Sequence, residues 1–389
     1  MKKLQLWFSR IEAFVTYNSI RVSRQEAEVL PVNGLFIGIC VMLLLLFSSD
    51  AMRAASEAAS VFVHGVMPAL FPMMILNCLA PPPADSGHAF GGGRAAAGTV
   101  LFSFAAGSPA SAQRVRQMAD GGSLSRGRLA FLLGATGVMS PMFFVGTLAG
   151  WTGLSTAAWA MLGAHWISAL LAGMFVLLAS KILPGKAFSG TDGAARAQGG
   201  SGAPSTQGEK HPAISMLSVS ASISSSAQAL LAVCGSMMLF SIVAGVLRAV
   251  LSSAFPAWTA GHAQQLAVLW ALLEIGGGSS AVITAYGAPP LSLLCALCSF
   301  GGLSIWIQNL LFLGPCVRPA KLLTIRMLHG ALSYGLCRLL FAFFPMLART
   351  FAAADAPAFA AVWGLPPLIP ALLIVLSVPA LRQPRSPVS

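Results

Sequence analysis

Charge is scarce in this sequence. Asp, Glu, Lys and Arg make up 9% of its 389 residues, against about a quarter in an ordinary soluble domain. With 56% hydrophobic residues, that scarcity excludes water as the solvent for most of the chain and implies lipid. Catalytic signatures are also missing. There is no Walker A run, no H-E-x-x-H, no G-x-S-x-G and no paired carboxylate set, so an enzyme has no support, and neither a cofactor nor a metal is expected. Cys295-Ala-Leu-Cys298 has redox or metal-site spacing but lacks a second pair or a neighbouring His. The seven cysteines read as small buried hydrophobes.

What is there is apolar length, enough for roughly eight to ten spans of about 20 residues. The net charge of +12 raises nucleic acid as a partner. The Lys and Arg sit in short loops between apolar runs, however, the placement of cytoplasmic membrane-protein loops. The expected partner is therefore the lipid bilayer, not nucleic acid.

Residues 1–31 mix basic and apolar side chains (Leu4, Leu6, Trp7, Phe8 and Ile11) and predict a cytoplasmic segment with a short interfacial helix. Apolar runs then predict spans over 32–49, 59–80, 129–150, 157–183, 230–251, 266–286, 322–347 and 359–381. Residues 184–214 are rich in Gly, Ser, Ala and Pro and predict a flexible cytoplasmic linker. It divides a first half, 32–183, from a second, 215–389, whose Ser-rich start extends a helix along the interface.

Two apolar segments are interrupted. Thr99–Gly107 is nine residues, about 14 Å of helix, too short for a core near 30 Å; it breaks at Gly107-Ser-Pro109. Leu291–Gly314 breaks at Gly301-Gly302. Breaks free backbone N–H and C=O groups, which a membrane tolerates only against protein or a watery cavity. One such segment in each half is a sequence pointer to a transporter's site. With both (96–116 and 291–314) treated as re-entrant and the N-terminus inside, the basic loops Arg114–Arg128, Lys181–Lys210 and Arg318–Arg326 all fall on the cytoplasmic side. The loops near Trp151, Trp258 and Trp363 fall outside. The expected fold is an all-α polytopic membrane protein with about eight transmembrane helices plus two re-entrant, broken-helix segments in two pseudo-repeated halves.

The expected substrate-binding residues follow. Gly107, Ser108, Pro109 and Gln113 stand at the first break. Gly301 and Gly302 make the second, where Ser304 and Gln308 share a helix face. Hydroxyls and amides beside a half-helix N-terminus suit an anion or a polar ring. Glu274 is a lone carboxylate in mid-span, a functional hypothesis by default, suited to a coupling cation or to orienting a neighbouring Ser or Gln. His64 and His165 stand alone and read as interior or interface histidines. Arg248 and Lys181, near span ends, read as snorkelling side chains.

Pro68-Ala-Leu-Phe-Pro72, Gly107-Ser-Pro-Ala-Ser-Ala112, Ser140-Pro-Met-Phe143, His165, Leu273-Glu-Ile275 and Phe300-Gly-Gly-Leu-Ser304 with Gln308 come in an order and spacing that resembles the YlbJ-type sporulation integral membrane proteins. These carry the nucleoside-recognition "gate" domain and are distantly related to concentrative nucleoside transporters. The resemblance covers about residues 55–345. It implies a multi-pass protein of a bacterial cell membrane, the mother-cell-derived outer forespore membrane, that moves a small solute such as dipicolinate. A nucleoside as solute and a non-transporting scaffold for spore-envelope assembly are the alternatives. The coupling ion, H+ or Na+, and homo-oligomerisation stay open.

Overall fold

The computed structural model describes residues 34–79, 91–121, 124–182 and 216–348. The expected N-terminal segment 1–31, the linker 184–214 and the span 359–381 lie outside them. All regular elements among the described residues are helical. The chain divides into two units, residues 1–48 and 49–389. The first holds α1, Gly34–Leu46, which has no charged residue and exposes Phe36, Leu45 and Leu46.

The second unit begins with α2, Ser48–Val61, which passes through a π turn at Phe62–Val66 into α3, Met67–Leu79. Pro68 and Pro72 cannot donate to the helix ladder, and the wide turn just ahead of them absorbs the misfit. The helical run therefore starts at Ser48, not near Ala59. Next comes α4, Gly91–Ala106, longer than the half-span expected from Thr99 because Gly91–Gly93 join the helix. After a break come α5, Ala110–Asp120, and α6, Arg126–Ala135. A non-helical stretch through Ser140 precedes a π turn at Met142–Leu148 and the short α7, Ala149–Thr152. Then follow α8, Ser155–Ile182; α9, Met216–Ala254; α10, Pro256–Gly261; α11, Ala263–Leu273; and α12, Ile275–Tyr286. The chain ends its described part with α13, Leu291–Phe300; α14, Gly302–Leu313; and α15, Pro319–Phe343.

Two expected spans are broken where the apolar pattern runs on. The run 129–150 leaves the helix over Thr136–Ser140, and 266–286 leaves it at Glu274. Among the described residues, four segments are thus interrupted, not two.

Core packing centres on α8, which contacts both α6 and α15, while α13 contacts α15. Met161, His165, Ala169, Ala172 and Val176 of α8 are buried, yet Ile167, Met174, Phe175 and Leu178 of the same helix are exposed. A helix apolar on both its buried and its exposed faces suits lipid. Among the described residues, four helical runs are long and apolar enough to cross a membrane: Ser48–Leu79, Ser155–Ile182, Met216–Ala254 and Leu291–Cys316.

Candidate functional site

The first break is built by glycine and proline. Gly107 has φ +73°, and a Cβ there would lie 2.4 Å from the Ser140 backbone nitrogen. Only glycine permits that approach. The Ser108–Pro109 peptide is cis. Freed backbone groups find partners in the break at 136–140, second in chain order. Ser108 N–H donates to the Val138 carbonyl at 2.7 Å, and Ser111 Oγ donates to the Thr136 carbonyl at 2.8 Å. The breaks at 107–109 and 136–140 therefore support each other.

The other two breaks also meet. Glu274 caps α12, its carboxylate accepting from Gly276 N–H at 2.8 Å and Gly277 N–H at 2.7 Å. A carboxylate on a helix N-terminus is favoured by the helix dipole. Gly301 and Gly302 both have positive φ, and a Cβ on Gly302 would lie 3.1 Å from the Ala271 carbonyl and 3.3 Å from the Ile275 nitrogen. The 301–302 break thus rests on the 274 break.

One hydrogen bond joins the two pairs across 201 residues of sequence: Ser108 Oγ donates to Asn309 Oδ1 at 2.9 Å. Arg326 of α15 reaches the same hydroxyl, its Nη2 donating to Ser108 Oγ at 3.3 Å, while its Nη1 donates to the Gly137 carbonyl. Arg326 is 3% exposed. Among the described residues it forms no ion pair with a carboxylate, and its Nε and the Nδ2 of Asn309 have no hydrogen-bond partner. A buried cation is costly without a counter-charge; here it has a hydroxyl and a carbonyl at the end of α6.

Behind this junction lie two stacked histidines, His165 and His329, with ring centroids 4.8 Å apart. His165 Nε2 accepts from Met139 N–H at 2.9 Å, which assigns the ring proton to Nδ1, 2.7 Å from Ser299 Oγ. Ser299 passes its own proton to the Cys295 carbonyl at 2.8 Å. His329 donates through Nε2 to the His165 carbonyl at 3.1 Å. The pair pins Met139 of the second break to the helix carrying the fourth.

The expected residues distribute unevenly. Ser108 stands at the junction, and Gly107, Pro109, Gly301 and Gly302 shape the breaks. Gln308 instead donates to Ser236 at 2.9 Å and Ser304 at 3.3 Å. Gln113 accepts from Asn77 at 3.3 Å, and Asn77 takes a bond from Arg114 at 2.8 Å. Arg114 also lies over the Phe102 ring at 4.8 Å. Arg114 and Arg326, expected in basic cytoplasmic loops, are buried instead, at 1% and 3% exposure. The reason is the helix boundary: α5 and α15 continue past them, so both point inward from helices. Sequence reading missed Arg326 and Asn309. Asn309 was legible as the neighbour of Gln308; Arg326 was legible only as a cation near the start of the apolar run 322–347. Cys295 and Cys298 are buried free thiols, and no group of His, Cys, Asp or Glu among the described residues could hold a metal ion.

The chain matches no family model, no curated protein and no solved structure.

Proposed function

We propose that this chain is a membrane transporter for a small anionic solute, bound where the four helix breaks converge. The observation that carries the reading is the Ser108–Asn309 contact beside buried Arg326. It gives two interrupted segments, distant in sequence, one shared polar centre with unfilled hydrogen-bond donors. Interrupted helices at membrane depth are where transporters place solute sites, and a guanidinium fork is suited to a carboxylate. Glu274, Ser304 and Gln308 shape the neighbouring break, and Glu274 is the candidate for a coupling H+ or Na+.

The proposal carries the finer architecture with it: about eight spans in two halves, a cytoplasmic N-terminus, and a bacterial cell membrane as location. The motif order that resembles the YlbJ-type sporulation proteins supports dipicolinate, an aromatic dicarboxylate, as the solute and the forespore membrane as the setting. The resemblance alone supplies that solute.

Flux into proteoliposomes of the purified protein tests the reading, with dipicolinate and uridine compared under matched H+ and Na+ gradients. Dipicolinate flux is expected, lowered at least tenfold by Arg326→Gln and severalfold by Ser108→Ala, with protein level and melting temperature retained in Ser108→Ala. Uridine flux instead moves the solute to nucleosides. No flux of either from folded protein sinks the transport reading.

A further inference from the structure

A second polar feature lies apart from the Ser108–Asn309 junction. Between α2, α9 and the α11–α12 break is a cleft of about 110 Å³, lined by Arg53, Glu57, Ser241, Arg248, Trp270 and Glu274 among others. At about 30 Å³ per water, it has room for a three-atom anionic group and a short body.

Its charged walls are unequal. Arg53 is engaged on its own helix, 2.9 Å from Asp50 and 3.5 Å from Glu57, so the Glu57 carboxylate is also matched. Both Glu274 oxygens accept backbone N–H groups. Arg248 differs. Among the described residues it makes no hydrogen bond and no ion pair; its guanidinium lies over the Trp270 ring at 5.5 Å from the centroid. An arginine near a span end reads from sequence as one that snorkels to the interface. Arg248 is exposed, as a snorkelling side chain would be, and it also lines the cleft with its guanidinium over an indole face.

We propose that this cleft is an oxyanion-binding site, with the Arg248 fork taking a carboxylate or phosphate and Trp270 orienting the fork. The Glu57 and Glu274 carboxylates also line the cleft, and the charges of Glu57 and Arg53 both act on Arg248, so the ligand presents a single anionic group toward the Arg248 fork. A soluble carboxylate or phosphate and the phosphate of an anionic phospholipid share this chemistry. The site shares Glu274 with the transport reading, whereas Arg326 and Ser108 take no part in it.

The test uses the full chain in two arms. In detergent, inorganic phosphate and acetate are titrated while Trp fluorescence is recorded, with Trp270→Phe defining the site's signal. In nanodiscs, retention of phosphatidylglycerol against phosphatidylcholine is measured by mass spectrometry. Arg248→Gln is expected to weaken binding at least tenfold, and Arg248→Lys severalfold through loss of the fork. A response in the soluble arm alone makes the ligand a small anion, and in the lipid arm alone a headgroup; either supports the site. Wild-type binding in both arms by Arg248→Gln and Arg248→Lys, or binding by no arm in wild type, overturns it. If Arg248→Gln does not fold, Arg248→Lys and Trp270→Phe decide. Lost binding with normal dipicolinate flux leaves transport standing, and lost flux in Arg326→Gln with normal binding leaves this site standing.

Discussion

Two glycines with left-handed backbone separate two costs that substitution studies often merge. Gly107 and Gly153 have nearly the same φ, +73° and +68°, yet a Cβ on Gly153 meets nothing within 4 Å, whereas one on Gly107 meets the Ser140 backbone. Gly153→Ala carries only the left-handed strain, about 1–2 kcal/mol. Gly107→Ala adds overpacking of about 1–3 kcal/mol and splits the first break from the second. Melting temperature in detergent is expected to fall modestly for Gly153→Ala and by several degrees more for Gly107→Ala. Equal shifts would mean that the two breaks do not rely on close contact. At this scale the sequence was partly legible. Gly-Ser-Pro inside an apolar run announces a break, so Ser108 could be named. Arg326 could not, because a cation bordering an apolar run looks the same whether its helix ends before it or continues past it.

Among the helices, α6 and α8 touch backbone to backbone. A Cβ on Gly173 would stand 2.8 Å from the Phe131 carbonyl and 2.9 Å from the Ala135 Cβ, and one on Gly134 would stand 2.6 Å from Gly173 itself. Small residues at such crossings let membrane helices approach closely. Gly173→Ala is expected to lower the melting temperature by several degrees, with Ala135→Gly restoring part of it in the double variant; a double variant no better than the single would place the strain on the Phe131 carbonyl alone. Because α8 also contacts α15, which holds Arg326 and His329, this crossing positions the junction from behind. The long helices were legible as apolar runs, but the breaks at 136–140 and at Glu274 were not. Hydropathy reports whether a residue tolerates lipid, and a break whose backbone groups are satisfied by Ser108, Ser111 or a capping Glu274 tolerates it as well as a helix does.

Across the whole molecule, basic side chains from separate elements lie close together. Lys321, just ahead of the apolar run 322–347, is held by burial and by the charges of Arg318 and Arg126 down to about 8 from an ordinary 10.5. The sign follows from linkage. Below pH 8 the folded chain carries this ammonium at a cost that the unfolded chain does not bear, and the cost is relieved as pH rises from about 8 toward 10.5. Lys321→Gln is therefore expected to raise the melting temperature at pH 7, with the advantage fading over that window; a constant advantage across it would point to a packing effect. Arg126 and Lys321, far apart in sequence, thus lie close enough for their charges to interact.

The unbroken α9 sets a dimension for the surroundings. Its 39 residues make a rod of about 58 Å, roughly twice a hydrocarbon core near 30 Å. Even leaning at about 40°, the steep end of observed tilts, it would rise about 45 Å. A bilayer that thins or thickens would therefore change the angle of this spar, and with it the attitude of Ser236, which holds Gln308, and of Arg248 beside Trp270. Membrane thickness would then be a mechanical input to the helix that carries both side chains.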